Sequence, residues 1–320
     1  MKAVFHYSAS DRMKQSLADA SPAWLRTVCV DDDDEAGLTV ELAEADVLLH
    51  VLTPVTARVL EHAPQLKLIQ KIGVGVNTID LQAAHRLGIR VANMPGANSQ
   101  AVCEMTLALM LAAMRKVVTL DAATRGGNGW RLPPHVTDDA IEIAGKTVGL
   151  IGHGEVSKRL APVLVAMGAN VVAHTRTPFT GAVATYVSLP DLLCGSDVIS
   201  LHLPLNGNTQ HLLDRAAFAQ MKRGVVLVNT ARGGLVDESA LVDALLSGQV
   251  RAAGVDVMAV EPVPSDTPLL KLPNVVLAPH IAWLTAESMA RSFAIIADNC
   301  QRLRKGVPLR FEITLDPTAG

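Results

Sequence analysis

The sequence predicts an α/β protein of two domains, each built on a parallel sheet. Three observations carry that prediction. The chain has 320 residues, more than one ordinary hydrophobic core serves. Short β-branched runs alternate with helical patterns almost throughout. Those runs are continuously apolar, the mark of strands covered by helices on both faces.

The runs fall into two series. "KAVFHY", "DVLLHV", "LKLIQKIG" and "IRVANM" make the first; "TVGLIG", "NVVAHT", "DVISLHL", "GVVLVNTA", "AAGVDVM" and "NVVLAP" make the second. One series per sheet gives two domains. Between them "SQAVCEMTLALMLAAMRKVVTL", residues 99–120, is the longest helical pattern and reads as one helix entering the second domain, with Asn98 and Ser99 as candidate N-caps. "RGGNGWRLPPHVTDD" then forms a Gly/Pro/Asp-rich loop. Its Trp130 has two readings, an anchor for a subunit contact or an aromatic tucked into its own domain. The last helical pattern, residues 285–305, follows the second sheet, and the tail is expected to pack back on the first domain. "DDDDE", residues 31–35, reads as a solvated acidic loop, since adjacent carboxylates in a run do not converge on a metal.

With 49% hydrophobic and 18% charged residues the chain can bury large cores, which excludes a disordered protein. The formal net charge is -3 and the 28 Lys and Arg residues are scattered, which argues against a nucleic-acid or anionic-membrane footprint. Cys29, Cys103, Cys194 and Cys300 form no C-x-x-C pair and are expected to be reduced thiols rather than a disulfide or zinc framework. "MKAVFHYSAS" reads as a first strand and not a signal peptide. No apolar run reaches the roughly 18 residues of a membrane span. A soluble, cytoplasmic protein with no metal site is therefore expected.

"GLIGHGEVS" places Gly152, Gly154 and Ser157 in G-x-G-x-x-S spacing between a strand and a helical pattern. The first glycine permits a tight turn and the second lets the backbone approach a pyrophosphate. The helix N-terminus offers N–H groups to the anion. The third position needs only a small residue, so Ser157 is a mild departure. A rival, "KIGVGVNT" at 71–78, has Gly73 and Gly75 in similar spacing, but its following strand ends in "VANMPGA", with no group to hold a ribose. It reads either as an anion nest suited to a carboxylate or as a plain turn.

A dinucleotide turn usually has an acidic partner about 20 residues on, bonded to the ribose 2′-OH. In "VVAHTRT" that acid is missing, and Thr175, Arg176 and Thr177 stand there instead. An acid repels a 2′-phosphate, whereas a hydroxyl with an arginine accommodates it. The stretch therefore favours NADP(H). The alternative leaves Arg176 solvated and NAD(H) held by other contacts.

Three polar residues lie after the late strands, on the edge where open α/β sheets bind ligands: Arg232 after "VVLVNTA", Glu261 after "GVDVMAV" and His280 ending "NVVLAPH". Singly, each has a bland reading, as a carbonyl cap, a solvated loop carboxylate and an interior histidine. Together they are what reduction of a 2-oxo acid requires beside a hydride donor. Arginine binds a carboxylate in two-pronged fashion, histidine is an acid near neutral pH, and a carboxylate beside an imidazole favours its protonated form. Asp256 in "GVDVM" reads equally as a nicotinamide-amide contact or as a buried, hydrogen-bonded turn residue. Metalloprotease, serine-hydrolase and NTPase motifs are missing from the sequence.

Taken in order, "GVGVNTID", "NMPGANSQAVCEMTLALML", "GLIGHGEVS", "LHLPLNGNTQHLL", "LVNTARGGLVDESAL", "GVDVMAVEPVP" and "APHIAW" resemble the D-isomer-specific 2-hydroxyacid dehydrogenases over nearly the whole chain. The resemblance implies that Arg232, Glu261 and His280 are the catalytic set. It implies that Arg232 and the amides around Val74, Gly75 and Val76 bind the substrate carboxylate, and that Trp283 shapes the pocket wall. Cofactor contacts are implied for Gly152, Gly154, Glu155, Val156, Thr175, Arg176, Thr177, Pro204, Thr209, Thr230, Ala231, Asp256, His280 and Ala282. It further implies a discontinuous flavodoxin-like substrate-binding domain of residues 1–98 and 285–320. A Rossmann domain, a doubly wound parallel sheet of residues 99–284, is inserted into it, with the active site in the cleft between them. A homodimer joined through the inserted domain is implied as well.

The chain departs from the commonest family pattern at Ser157 and at Thr175, where NAD-using members carry Asp. There it is similar to the NADPH-preferring glyoxylate and hydroxypyruvate reductase branch. No C-terminal regulatory domain like that of many phosphoglycerate dehydrogenases is expected. Glu261 differs from the formate dehydrogenase pattern, in which glutamine partners the histidine. The expected function is NAD(P)H-dependent reduction of small 2-oxo acids to D-2-hydroxy acids. The alternatives are a dehydrogenase of another anion, phosphite or a bulky 2-oxo acid, and a non-catalytic dinucleotide-sensing protein of the same fold.

Overall fold

The first series of apolar runs folds into a five-stranded parallel sheet of order β2-β1-β3-β4-β5. The structure, a computed structural model, describes residues 1–314. Its strands are β1 (Lys2–His6), β2 (Arg26–Val30), β3 (Val47–His50), β4 (Leu68–Lys71) and β5 (Arg90–Ala92). The crossovers carry α1 (Asp11–Ala20), α2 (Glu35–Leu42), α3 (Ala57–Glu61) and α4 (Leu81–Arg86). Each begins on a side-chain cap, Ser10, Asp34, Thr56 and Asp80, whose oxygen accepts an otherwise unpaired N–H of the first turn. This strand order is the flavodoxin-like one. β2 departs from expectation: "RTVCV" is exposed at its first residue and fully buried only at its last, so as an edge strand it lacks a continuous apolar run.

The second series folds into a seven-stranded parallel sheet, β12-β11-β10-β9-β6-β7-β8. Three helices lead in, α5 (Ser99–Arg115), α6 (Val117–Arg125) and α7 (Pro134–Asp138). Then come β6 (Thr147–Ile151), α8 (Glu155–Ala166), β7 (Asn170–His174), the two-residue β8 (Thr185–Tyr186), α9 (Leu189–Gly195) and β9 (Val198–Leu201). α10 (Arg215–Gln220), β10 (Val225–Asn229), α11 (Glu238–Ser247), β11 (Val250–Val255) and β12 (Val275–Leu277) complete it. Counted from β6, the order β8-β7-β6-β9-β10-β11 is the Rossmann 3-2-1-4-5-6, with β12 added at one edge. Apolar clusters lie on both faces, which is why these strands read as unbroken apolar runs.

The helix expected over 99–120 is two helices. Lys116 is left-handed at φ 53, and the Met114 carbonyl accepts the Ile141 amide at 3.1 Å instead of continuing the α5 ladder. α12 (Ala286–Lys305) opens on a capping box in which Thr285 and Ser288 each bond the other's backbone. Beyond it the chain returns to β5: Ile313 donates to the Val91 carbonyl at 2.8 Å, and Arg90 forks onto Glu312 at 2.7 and 2.5 Å. The contacts divide the chain into two compact units, Met1–Asn98 with the segment from Leu284 onward, and Ser99–Trp283. Among the described residues no helix is long and apolar enough to cross a membrane.

In the first unit, register sets His6, His50 and Lys71 side by side at the carboxyl ends of β1, β3 and β4, all buried. Burial, with Lys71 and His6 beside it, holds His50 well below its ordinary 6.5. In the second unit, burial beside His153 holds His202 down to about 3. An unfolded chain takes up these protons near pH 6.5 while the folded one refuses them. Stability present above that pH is therefore lost as pH falls toward the folded values. The urea midpoint should decline between about pH 7 and about pH 5.5, before the carboxylates titrate. His50→Gln should flatten that decline; an equally steep slope in the variant contradicts this account.

Candidate active site

The dinucleotide turn is built from β6 outward. Gly152 has φ 93, and a Cβ there would lie 2.4 Å from the His202 carbonyl oxygen, so only glycine fits. Gly154 opens α8 without a side-chain cap, and a Cβ built on it meets nothing within 4 Å. The first turn of α8 thus presents its N–H groups beside open space, which fits a pyrophosphate. Ser157 at the third position is fully buried, and its hydroxyl donates to the Gly152 carbonyl at 2.7 Å. The hydroxyl reinforces the turn, so the departure from glycine is accommodated. Thr175 and the exposed Arg176 and Thr177 follow β7. After β9, the Thr209 hydroxyl donates to the Pro204 carbonyl at 2.8 Å, tying those two residues into one loop.

The turn after β10 holds Thr230, Ala231 and Arg232. Asn229 closes it: its amide nitrogen donates to the Arg232 carbonyl at 2.9 Å and its oxygen accepts the Ala231 amide at 3.0 Å. Thr230 and Thr106 share a hydroxyl contact at 2.7 Å. Gly233 then runs so close to the next loop that a Cβ would lie 2.0 Å from the Met258 backbone. That approach lays the Arg232 turn against the loop carrying Glu261. Burial lowers the Arg232 pKa and Glu261 partly offsets it; a guanidinium remains a cation through such a shift.

Glu261 turns back on its own loop. Its Oε1 accepts the Met258 amide at 2.8 Å, and its Oε2 lies 2.6 Å from His280 Nδ1. Burial pushes the carboxyl up, but the His280 hydrogen bond and charge, the Met258 amide and Arg232 together bring it below its ordinary value. An ionised carboxylate only accepts, so Nδ1 carries the shared proton. Nε2 makes no hydrogen bond within the described residues.

His280 itself is left-handed at φ 55, a conformation costing a side-chain-bearing residue about 1–2 kcal/mol. Asp256, buried to 1% exposure, holds it there. Its Oδ1 and Oδ2 accept the Ile281 and Ala282 amides at 2.9 and 3.0 Å, and its carbonyl accepts the His280 amide at 2.7 Å. Hydrogen bonds to a charged group contribute about 1.5–3 kcal/mol each, enough to outweigh that strain. Of the two readings of Asp256, this is the geometry of the buried turn residue. Trp283 is also buried, and its indole N–H donates to the His280 carbonyl at 2.9 Å, which pins the turn from its far side.

Within the first unit, Val74, Gly75 and Val76 follow a Gly73 at φ 125, with the Asn93 side-chain Nδ2 donating to the Val74 carbonyl at 2.8 Å. The Thr230–Arg232, Glu261 and His280–Trp283 turns all gather at the carboxyl edge of β10–β12, and the Gly152–Ser157 turn at that of β6. Sequence reasoning missed Asn229 and Gly233, which build the Arg232 turn. The polar residue ending an otherwise apolar β10 and the Gly-Gly pair were the available signals.

Residues 107–282 match the family described as "D-isomer specific 2-hydroxyacid dehydrogenase, NAD binding domain". D-3-phosphoglycerate dehydrogenase of Mycobacterium leprae is 40% identical over 295 residues, 91% of this chain and 55% of the relative. The chain thus spans about half that relative's length. Hydroxypyruvate reductase of Thermotoga maritima is 42% identical over 255 residues, 78% of this chain and 82% of the relative. Among solved structures, apo D-lactate dehydrogenase from Escherichia coli superposes with a TM-score of 0.87 at 30% identity, covering 98% of this chain and 100% of the other.

The Asp256 carboxylate has a direct test. Asparagine keeps its shape but turns an NH2 toward one of the two peptide N–H groups. Asp256→Asn should therefore lower stability by about 1–3 kcal/mol, read from urea unfolding. Unchanged stability would mean that the 280–282 turn is held by something else.

Proposed function

This chain belongs to the D-isomer specific 2-hydroxyacid dehydrogenase family, and on that footing we propose that it is an NAD(P)H-dependent reductase of small 2-oxo acids, glyoxylate or hydroxypyruvate by preference, giving D-2-hydroxy acids. The observation that carries the reading is the 2.6 Å pair of Glu261 and His280, set beside the Arg232 turn. In the reduction direction, Arg232 receives the substrate carboxylate in a two-pronged grip and draws on the adjacent carbonyl oxygen. His280 gives its Nε2 proton to that oxygen as the alkoxide develops, while Glu261 keeps Nδ1–H in place and stabilises the ring's positive charge. A bound nicotinamide supplies the hydride to the substrate carbonyl carbon. In oxidation the same Nε2 takes the proton back.

The open face at Gly154 and the uncapped start of α8 support a dinucleotide held at the β6 turn. Gly152, Glu155, Val156, Pro204, Thr209, Thr230, Ala231 and Ala282 belong to the same reading as cofactor contacts. With Thr175 in place of an acid and Arg176 following it, the cofactor is NADP(H) in preference to NAD(H). Within the first unit, the turn of Val74, Gly75 and Val76 is suited to a carboxylate, and within the second Trp283 acts on the pocket wall through the turn it pins. The enzyme works in the cytoplasm as a homodimer, with Trp130, 94% exposed, as an interface anchor.

Oxidation of NADPH and NADH, followed by absorbance with glyoxylate, hydroxypyruvate, pyruvate and phenylpyruvate, tests the activity. Turnover should be fastest with the first two acids. His280→Ala should lower kcat by about 10²–10⁴-fold with cofactor binding kept; undiminished kcat would refute its role. Arg176→Ala should weaken NADPH far more than NADH, and equal losses would overturn the cofactor preference.

A further inference from the structure

The segment that carries Arg176 is poorly anchored by its own residues. Arg176, Thr177 and Phe179 are exposed, and the Thr177 amide reaches the Thr175 hydroxyl at a long 3.4 Å. Three rings nevertheless gather beneath it. His153, the residue between the two glycines of the dinucleotide turn, is buried, with Nδ1 2.8 Å from the Tyr186 hydroxyl. That hydroxyl also accepts the Phe179 amide at 3.3 Å. The His153 centroid lies 5.1 Å from that of Phe179 and 5.4 Å from that of Tyr186, and the two phenyl rings meet edge to face at 6.3 Å.

Burial, with Lys158 nearby, keeps His153 below its ordinary range, so its ring is neutral. The Tyr186 hydroxyl accepts from the Phe179 amide and shares a hydrogen bond with Nδ1. β8, on which Tyr186 pairs with Ala173 of β7, is thereby tied both to the dinucleotide turn and to the segment leaving β7. A cation joins the cluster from the helix: Lys158 Nζ stands 4.8 Å from the Phe179 centroid. Its carboxylate partner Glu155 is 3.6 Å away, and both side chains are substantially exposed, at 43% and 55%. Such a pair contributes little, and a dianionic phosphate readily displaces it.

We propose that His153 and Tyr186 are positioning residues for cofactor choice, clamping the Thr175–Gly181 segment onto the dinucleotide turn, and that Lys158 is a second cation, with Arg176, for the extra phosphate of NADP(H). The inference rests on the Arg176 reading above. An unclamped segment would have to be ordered on binding, which weakens affinity for the group it contacts. NADH lacks that group, so its binding depends far less on the clamp.

Calorimetric titration of the full chain with NADPH and with NADH, alongside Tyr186→Phe, Lys158→Ala and Lys158→Arg, tests this. Tyr186→Phe and Lys158→Ala should each raise the NADPH Kd by about tenfold or more and the NADH Kd by less than about twofold, and Lys158→Arg should restore most of the loss. A parent protein that binds NADH as tightly as NADPH overturns the Arg176 reading and this inference with it. A parent that prefers NADPH, with variants that lose both cofactors equally or neither, overturns the clamp alone. A loss confined to one variant removes the role of the other residue. Lys158 is exposed, so its variants remain decisive should Tyr186→Phe unfold early.

Discussion

The catalytic reading depends on one strained residue being held still. His280 occupies a backbone conformation that an L-residue adopts only under constraint, and the constraint comes from Asp256, 24 residues earlier by number. The strand ladder puts Asp256 there: its amide donates to the Asn229 carbonyl at the end of β10, extending the sheet by one residue before the chain turns away. A side chain placed by a sheet edge has little freedom, and the ring it positions inherits that rigidity. Local strain at a functional turn persists where surrounding bonds over-determine it, and three hydrogen bonds to one residue do so here.

The same economy of placement governs the glycines. Gly152 and Gly233 are both needed because another backbone passes within contact of where a Cβ would stand, His202 in one case and Met258 in the other. Gly154 is different, since a Cβ there meets nothing of the protein. An open face of that kind at the first turn of α8 leaves room for an anion against the helix N–H groups. The contrast separates two glycines that build the fold from one whose open face leaves room for a ligand.

Much of this was legible in the sequence, and the exceptions share a cause. Unbroken apolar runs marked β6, β9, β10 and β11 because both faces of that sheet are covered there. β2 escaped because an edge strand with a half-solvated face carries no such run. The break after Arg115 escaped because nothing in "MRKVV" opposes a helix locally; it arises where the Met114 carbonyl meets Ile141, a partner supplied by the returning chain. Arg232, Glu261 and His280 were visible as polar residues in the loops after the late strands. The tie of Asp256 to Ile281 and Ala282, and the His153–Tyr186–Phe179 cluster, join residues distant in sequence through hydrogen bonds that leave no periodic trace.

Two carboxylates stand near His280, and their environments push them apart. Burial raises the Asp256 pKa despite the Ala282 and Ile281 amides and the His280 charge that oppose it. Glu261, with His280, the Met258 amide and Arg232 acting together against its burial, is lowered. Such divergence assigns roles. Glu261 is the negative charge against the ring, and on the proposed reading it holds the Nδ1 proton and leaves Nε2 for the reaction. Asp256 serves through geometry. Arg232 completes the set because burial lowers its pKa as well, and a lysine in the same place would be far more exposed to losing its charge. The site thus sets an ionised Glu261 against the His280 ring, with the Arg232 cation acting on the same carboxylate.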